Sequence, residues 1–361
     1  MNSFDLKFIN EAHNIAEKNF GKTFPNPVVG CVIAKNGKLI SKGVTSKSGR
    51  PHAEEIAIRK AGIKAKGSTM YVTLEPCFHN SPSGSCADQI LRSGIKEIFV
   101  SITDPDPRTN NKSINKLRLN KIKVHRGINK IRTYNLNKFF FESLKNKKPY
   151  TKVKMAISND EKIAWSNYQS KWISNKKSRD YSHKIRSNSQ AILTTSKTII
   201  KDNPRFTVRH KGKVIKHIPI IIIDTNLKIS LNSKILKDIH KKRIIIFTSR
   251  NNIKFKKLKQ IGCEVILLKK RKDNFLNLKN VFDIIYKLKI SDLLVESGGV
   301  FLSSLIKNHL VQELHIFKAD FNIGFDGKPL LLNKKLYDIK KKLIEKRKFN
   351  DNYYYKYIVN K

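Results

Sequence analysis

Three residues that bind transition metals stand at a spacing typical of a catalytic zinc site. His52 is followed two residues later by an acid, Cys77 follows a proline, and Cys86 stands where a helix is expected to begin. One imidazole and two thiolates leave the fourth tetrahedral position of a zinc ion free for water. Zinc lowers the pKa of such a water to about 7, which supplies hydroxide at neutral pH. The pattern predicts hydrolytic chemistry with His52, Cys77 and Cys86 as metal ligands.

The acid near the first ligand completes this chemistry. Glu54 can take a proton from the bound water and deliver it to a leaving amine. Enzymes that deaminate bases carry the same set of groups, usually with two residues between the cysteines. Here eight residues, 78–85, separate Cys77 from Cys86. The two other cysteines, Cys31 and Cys263, fall in predicted strands, where we expect them to fill the core.

The segments around these residues alternate between strand and helix patterns. Apolar residues at helical spacing predict a first helix over 8–16, and Asn36-Gly37 predicts a hairpin between two strands. Such alternation indicates an α/β fold for the first part of the chain. The remaining elements predicted there are helices at 53–61 and 86–93 and strands at 28–34, 39–44, 69–74 and 98–102.

A polar, basic stretch at 142–149 separates this part from a second one in which the alternation restarts. We therefore expect two domains, 1–146 and 147–361. In the second domain, 218–224 and 243–248 are continuous apolar runs, which are typical of strands covered on both faces. The alternating segment 353–359 predicts a final antiparallel strand.

The chain is strongly basic, with 74 Lys and Arg against 28 Asp and Glu in 361 residues and a formal net charge of +46. The lysines are scattered over its whole length, which favours a general compositional drift over a specific nucleic-acid surface. No segment approaches the ~18 consecutive apolar residues of a membrane span. The N-terminal residues lack a secretory signal, and four cysteines are too few for a disulfide scaffold. We expect a cytoplasmic protein with no specific nucleic-acid partner and no membrane partner, and a homo-oligomer is compatible with the sequence.

Several longer motifs together resemble one family, the bifunctional deaminase/reductase of riboflavin biosynthesis. In the first domain they are 25–32, 51–54, 73–79 and 104–105, and in the second 154–160, 170–173, 191–194 and 295–299. The resemblance spans roughly residues 5 to 320. It implies a cytidine-deaminase-like three-layer domain followed by a dihydrofolate-reductase-like domain.

The resemblance also implies a reaction and its residues. The first domain would deaminate 2,5-diamino-6-(5-phosphoribosylamino)pyrimidin-4-one with zinc-bound hydroxide, and the second would reduce the ribosyl group to ribityl with NADPH. By position, Asn26 and His79 would contact the pyrimidine. The positions expected to bind NADPH are Ala156, Trp172, Thr198, Asp202, Thr225, Gly298 and Gly299, and those expected to bind the reductase substrate are Ser170, Arg186, Phe206, Arg209 and Glu296.

Three segments depart from the family pattern: 81–85, 110–112 and Glu161, where the family usually has glycine. If the turn at Glu161 requires a positive φ, glutamate is strained there. Two alternatives stay open at this point. One is a nucleic-acid base deaminase whose degenerate second domain binds RNA. The other is a chain with only one active domain, in which the second is a non-catalytic binding module.

Overall fold

The computed structural model of the chain describes residues 3–79, 84–167, 169 and 173–360, except for the side chain of Ser48. It divides into two compact units, Met1–Lys147 and Lys148–Lys361. The expected domains 1–146 and 147–361 imply that each unit carries one activity. This assignment stays a prediction.

The first unit contains one five-stranded sheet in the order β2-β1-β3-β4-β5. Strand β1 runs antiparallel to β2 and β3, whereas β3, β4 and β5 are parallel. The strands are β1 Gly30–Lys35, β2 Lys38–Val44, β3 Thr69–Leu74, β4 Glu97–Ile102 and β5 Lys123–Arg126. The helices are α1 Ser3–Lys18, α2 Ala53–Ala61, α3 Cys86–Ser93, α4 Lys112–Leu119, α5 Lys130–Leu136 and α6 Lys138–Asn146.

Alternate side chains of the central strands fill two cores, one on each face of this sheet. Val32 and Ala34 pack with Phe8 and Ile9 of α1, while Cys31 and Ile33 pack with the α2 side of the sheet. Two buried faces explain why β1 is apolar along most of its length. The result is the three-layer α/β unit that the sequence predicts.

The second unit is built on a nine-stranded sheet in the order β13-β12-β11-β8-β14-β6-β15-β18-β17. Its strands are parallel from β13 to β15, and β18 and β17 add an antiparallel edge. The strands of the unit are β6 Tyr150–Ile157, β7 Lys162–Ala164, β8 Ala191–Thr195, β9 Val208–His210, β10 Lys213–Lys216, β11 Ile220–Ile223, β12 Ile244–Thr248, β13 Glu264–Leu267, β14 Asp292–Val295, β15 Glu313–Ala319, β16 Lys328–Pro329, β17 Lys341–Phe349 and β18 Asn352–Val359. The helices are α7 Lys176–Ser187, α8 Ser196–Asp202, α9 Ile253–Gln260, α10 Leu278–Lys287 and α11 Gly299–Lys307.

Both faces of this sheet are also covered. Ile221 and Phe247 pack in the core that contains α10 and α11, whereas Ile220 and Ile246 pack on the opposite face. The four carboxyl ends of β6, β8, β11 and β14 are neighbours, because these strands are parallel and adjacent. Ligands of open parallel sheets bind at this edge.

Several elements of the structure were not predicted from the sequence, among them α5, α6, β7, β9, β10, β16 and β17. Part of the polar stretch 142–149 is helical, since α6 ends at Asn146 and buries Phe139 and Phe141. Strand β17 was not predicted, because its many lysines hide the strand pattern. Within the described ranges, no helix is both long enough and apolar enough to cross a bilayer.

Candidate active sites

The three predicted metal ligands meet at one point of the first unit. The imidazole Nδ1 or Nε2 of His52 and the Sγ atoms of Cys77 and Cys86 all lie within 4.8 Å of one another. His52 Nδ1 is 3.3 Å from Cys86 Sγ, and the Cys86 backbone N–H donates to Cys77 Sγ at 3.3 Å. Two sulfurs and one imidazole nitrogen at this separation fit a tetrahedral zinc ion.

Local structure sets these positions. His52 is the N-cap residue of α2, and Cys86 is the first residue of α3, whose preceding Ser85 accepts a hydrogen bond from the backbone of Asp88. The N-terminus of α3 favours negative charge on Cys86, whereas the hydrogen bond with Cys77 and burial raise the pKa of the Cys86 thiol. Cys77 follows β3 within three residues. Two helix starts and one strand end therefore converge on the site.

The charges around the ligands are shaped by burial. Burial raises the pKa of Glu54 to about 7, although the charge of His52 opposes this rise. Hydrogen bonds from the side chain of Cys86, from His52 and from the Cys86 backbone lower the pKa of Cys77 to about 4, so this sulfur has thiolate character. Glu54 is 3% exposed, and the donor set thus has a buried carboxyl group beside it.

A cavity of about 250 Å³ opens beside the ligands and is called the deaminase pocket here. His52, Cys77 and Glu54 line it, as do both residues predicted to contact the pyrimidine, Asn26 and His79. Among the described residues, the buried Nδ1 of His79 has no hydrogen-bond partner, which leaves it available to a ligand. Asn26 donates from Nδ2 to the carbonyl of Gly49 at 3.0 Å.

The pocket also contains residues that sequence reasoning left without a role. Glu75, Asp104, Asp106, Arg108 and Arg50 line it. Burial raises the pKa of Asp104 to about 7, and the hydrogen bonds from Arg108 lower the pKa of Asp106. The motifs 73–79 and 104–105 contain two of the three acids, Glu75 and Asp104, but only the fold shows that all three share one wall.

Glu75 organises that wall. Its Oε2 accepts the backbone N–H groups of Asp104 and Asn111, each at 3.1 Å, and its Oε1 accepts the Ser113 hydroxyl at 2.7 Å. One buried carboxylate therefore ties the end of β3 to the whole loop that precedes α4. The departure at 110–112 lies in this anchored loop.

The second unit has its own buried charge cluster at the carboxyl end of β14. Arg186 donates from Nε and Nη2 to the two carboxylate oxygens of Glu296, the latter at 2.9 Å, and Lys154 Nζ lies 3.1 Å from Glu296 Oε2. Burial alone would raise the pKa of Glu296, but the charges of Arg186 and Lys154 outweigh it and hold the pKa well below its usual range. The structure thus brings together two predicted substrate residues and adds Lys154, which the sequence did not single out.

Phe206 and Arg209 extend this cluster. The guanidinium of Arg186 lies 5.6 Å from the centre of the Phe206 ring, and its Nη1 donates to the carbonyl of Thr207. Arg209 donates from Nε to the Thr207 hydroxyl at 3.1 Å and is exposed. Arg186 is therefore occupied by Glu296, whereas Arg209 has the accessible guanidinium.

The described residues predicted to bind NADPH lie in or after strands β6, β8, β11 and β14, whose carboxyl ends are neighbours. Ala156 is near the end of β6, Thr198 and Asp202 are in α8 after β8, and Thr225 follows β11. Thr198 is hydrogen bonded through its backbone to Thr195, which caps α8. The predicted positions Ser170 and Trp172 lie outside the described residues.

The two glycines after β14 differ in what they require. A Cβ at Gly299 would lie 2.4 Å from the carbonyl oxygen of Leu330, so packing within the chain demands glycine there. A Cβ at Gly298 would meet nothing within 4 Å, and Gly298 is the N-cap of α11. The adjacent Ser297 Oγ is buried without a partner among the described residues. Open space, a helix N-terminus and an orphaned hydroxyl together fit a cofactor phosphate group.

The departure at Glu161 has a visible reason. Its φ is 61°, in the left-handed region that favours glycine. Its carboxylate accepts the backbone N–H of Leu336 at 2.9 Å, and its carbonyl accepts that of Leu330 at 3.0 Å. The strain expected from the sequence is present, and a side-chain contact that glycine could not make accompanies it.

Two family models match the chain, one within each unit. Residues 2–102 match the sequence model of the cytidine and deoxycytidylate deaminase zinc-binding region, and residues 149–353 match that of the RibD C-terminal domain. The riboflavin biosynthesis protein RibD of Aquifex aeolicus is 38% identical over 320 residues, covering 89% of this chain and 88% of the relative. The protein of the same name from Buchnera aphidicola is 34% identical, covering 90% of each chain.

Solved structures agree along the whole length. Acinetobacter baumannii RibD superposes with a TM-score of 0.89 at 27% identity, covering 99% of each chain. A diaminohydroxyphosphoribosylaminopyrimidine deaminase/5-amino-6-(5-phosphoribosylamino)uracil reductase from Thermotoga maritima superposes with a TM-score of 0.85 at 27% identity and the same coverage.

These matches confirm the expected family, fold class and pair of activities, and they do not favour the nucleic-acid alternative. The enzyme acts on a small pyrimidine substrate, and its cofactors are Zn²⁺ and NADPH. The chain belongs to the RibD family of riboflavin biosynthesis proteins, which join a zinc-dependent deaminase to a reductase.

Proposed function

We propose that the first unit deaminates 2,5-diamino-6-(5-phosphoribosylamino)pyrimidin-4-one, with His52, Cys77 and Cys86 as the zinc ligands. The observation that carries the proposal is the convergence of these three donor atoms within 4.8 Å beside a pocket that Glu54 and His79 line. A zinc ion held there would lower the pKa of a bound water to about 7 and so supply hydroxide for attack on the ring at neutral pH. The specific substrate is the one that the name of the Thermotoga maritima relative indicates.

The chain's own residues account for the remaining steps. Glu54 lines the pocket at the ligand end, where it can take the proton of the attacking water and deliver it to the departing amine. His79 and Asn26 orient the pyrimidine through polar groups that face the pocket. One water is consumed and one ammonia is released.

We propose further that the second unit reduces the ribosyl group of the product to ribityl. NADPH supplies the hydride when bound, and the protein contributes placement. Gly298 and Ser297 hold its phosphates at the start of α11, with Ala156, Thr198, Asp202 and Thr225 along the same sheet edge. The Glu296–Arg186 pair and the accessible guanidinium of Arg209 place the sugar and its phosphate.

We propose a cytoplasmic location, because all four cysteines are unpaired. We also propose that the chain has no specific nucleic-acid partner, because its positive charges are scattered along its whole length. The oligomeric state is open to measurement by light scattering.

One full-length variant, assayed for both activities, tests this assignment. We expect Glu54→Gln to retain bound zinc and to lose at least about 100-fold in the rate of ammonia release, because it removes the proton carrier. The same variant should oxidise NADPH normally when it is given the deaminated product. Full ammonia release by Glu54→Gln would contradict the role of Glu54, and loss of both activities would contradict the separation into two sites.

A further inference from the structure

An arginine at the deaminase pocket is held rigidly although most of its side chain is exposed. Arg108 donates from Nε and Nη2 to Asp106, the latter at 2.5 Å, and its side chain is 68% exposed. The Arg108 backbone N–H also donates to Asp106 Oδ1 at 2.9 Å. Exposed arginines usually sample many conformations, whereas the guanidinium of Arg108 makes three hydrogen bonds to the Asp106 carboxylate, two from Nε and one from Nη2.

Hydrogen bonds connect Asp106, which holds Arg108, to the segment that contains the metal ligand Cys77. Asp106 donates its backbone N–H to Asp104 Oδ1 at 2.8 Å, and Asp104 donates its own to Glu75 Oε2 at 3.1 Å. Glu75 stands two residues before Cys77. A continuous chain of hydrogen bonds thus sets the position of the guanidinium relative to the metal site.

The pocket needs a cation for the substrate proposed above. Its described lining includes four carboxyl side chains, Glu54, Glu75, Asp104 and Asp106, which repel a phosphate. Two arginines, Arg50 and Arg108, also line it, and among the described residues no hydrogen bond fixes Arg50. In Arg108, Nε and Nη2 are hydrogen bonded to Asp106. Within the described part of the chain, the Nη1 of Arg108 has no partner. That nitrogen offers two donors, which match phosphate oxygens.

We propose that Arg108, positioned by Asp106, binds the phosphate of the ribosylamino-pyrimidine and so makes the deaminase selective for phosphorylated substrate. The inference rests on the proposed function of this pocket and assigns the residue that distinguishes a phosphate ester from the free sugar. Asp106 cancels part of the attraction between the guanidinium and the phosphate, so directed hydrogen bonds contribute more than net charge does. The contribution is therefore moderate, on the order of 5- to 20-fold in affinity.

The test compares the phosphorylated substrate with its enzymatically dephosphorylated form, using the full-length zinc-loaded protein and ammonia release. We expect Arg108→Gln to raise KM for the phosphorylated substrate roughly 5- to 20-fold and to leave KM for the dephosphorylated form unchanged. The KM of Arg108→Lys for the phosphorylated substrate should lie between those of the unsubstituted enzyme and Arg108→Gln, because a lysine keeps the charge but cannot bridge Asp106 and a phosphate in fixed geometry. Added salt should weaken the preference for phosphate in the unsubstituted enzyme and have less effect in Arg108→Gln.

Arg59→Gln is the matched control, because it removes an exposed arginine from α2 that does not line the pocket. The inference is overturned if Arg108→Gln keeps the full preference for the phosphorylated substrate, or if Arg59→Gln reduces that preference equally. A different result would show that the proposed function itself is wrong. If the unsubstituted enzyme releases no ammonia from either form of the substrate, the function assigned to the pocket is refuted, and the role of Arg108 is refuted with it.

Discussion

Removing the charge of Glu296 should destabilise the second unit strongly. Glu296 is 6% exposed and accepts from both Arg186 and Lys154. In Glu296→Gln, two largely buried cations keep their positions without the carboxylate that neutralises them. Breaking a buried ion pair by removing one partner costs about 3–5 kcal/mol. With a urea m-value of about 2–3 kcal/mol/M, the unfolding midpoint should fall by roughly 1–2.5 M.

The chain provides a selective probe for this measurement. Its two tryptophans, Trp165 and Trp172, both belong to the second unit, so tryptophan fluorescence follows the unfolding of that unit. Glu264→Gln is the matched control, because Glu264 pairs with Arg243 on the surface, with 45% of the Glu264 side chain exposed. An exposed pair contributes at most about 1 kcal/mol, and the control should shift the midpoint far less.

The dependence on pH follows from the lowered pKa of Glu296. A carboxyl group with a depressed pKa in the folded state stabilises the protein fully above its unfolded pKa, and the effect is lost as the pH falls toward the folded pKa. The difference between the unsubstituted protein and Glu296→Gln should be constant from pH 8 to about pH 5 and should shrink below about pH 4.5. Equal midpoints for Glu296→Gln and Glu264→Gln would refute the reasoning.

The remaining predictions concern glycines and one positioning acid. Gly299→Ala should lower the stability of the second unit by about 1–3 kcal/mol, measured by tryptophan fluorescence in urea, because its Cβ would lie 2.4 Å from a backbone oxygen. Gly298→Ala should leave that stability unchanged and raise KM for NADPH, and an unchanged KM would contradict a cofactor phosphate at this turn. Glu75→Gln should lower kcat/KM for ammonia release, because an amide nitrogen cannot accept the hydrogen bonds that Glu75 receives. The zinc content of this variant and its oxidation of NADPH on deaminated product should be normal. An unchanged kcat/KM would show that Glu75 does not position the pocket wall.

The metal site was predictable because its chemistry is local. His52, Cys77 and Cys86 are distinctive residue types next to recognisable helix and strand boundaries, so their convergence could be anticipated without the fold. Glu296 and Arg186 were predictable only as positions that match a family. Their pairing with Lys154 joins residues far apart in the chain, and composition carries no sign of it.

Other features required the structure for physical reasons. The close approach of Gly299 to the backbone of Leu330 joins two distant segments, so no local pattern could predict it. The fixed geometry of Arg108 depends on Glu75 through two intervening residues, which no local pattern reveals. Strand β17 is rich in lysine, as edge strands exposed to solvent can be, and this composition hid it.

The most direct test of the whole account is to identify the products formed from 2,5-diamino-6-(5-phosphoribosylamino)pyrimidin-4-one by mass spectrometry. Without NADPH, the zinc-loaded enzyme should release ammonia and yield a product in which oxygen replaces the ring amine, with the ribosyl group intact. With NADPH, the same product should gain two hydrogens on the sugar, and prior removal of zinc by a chelator should abolish the first step. Unchanged ammonia release after complete removal of the metal, or no ammonia from the zinc-loaded enzyme, would contradict the assignment.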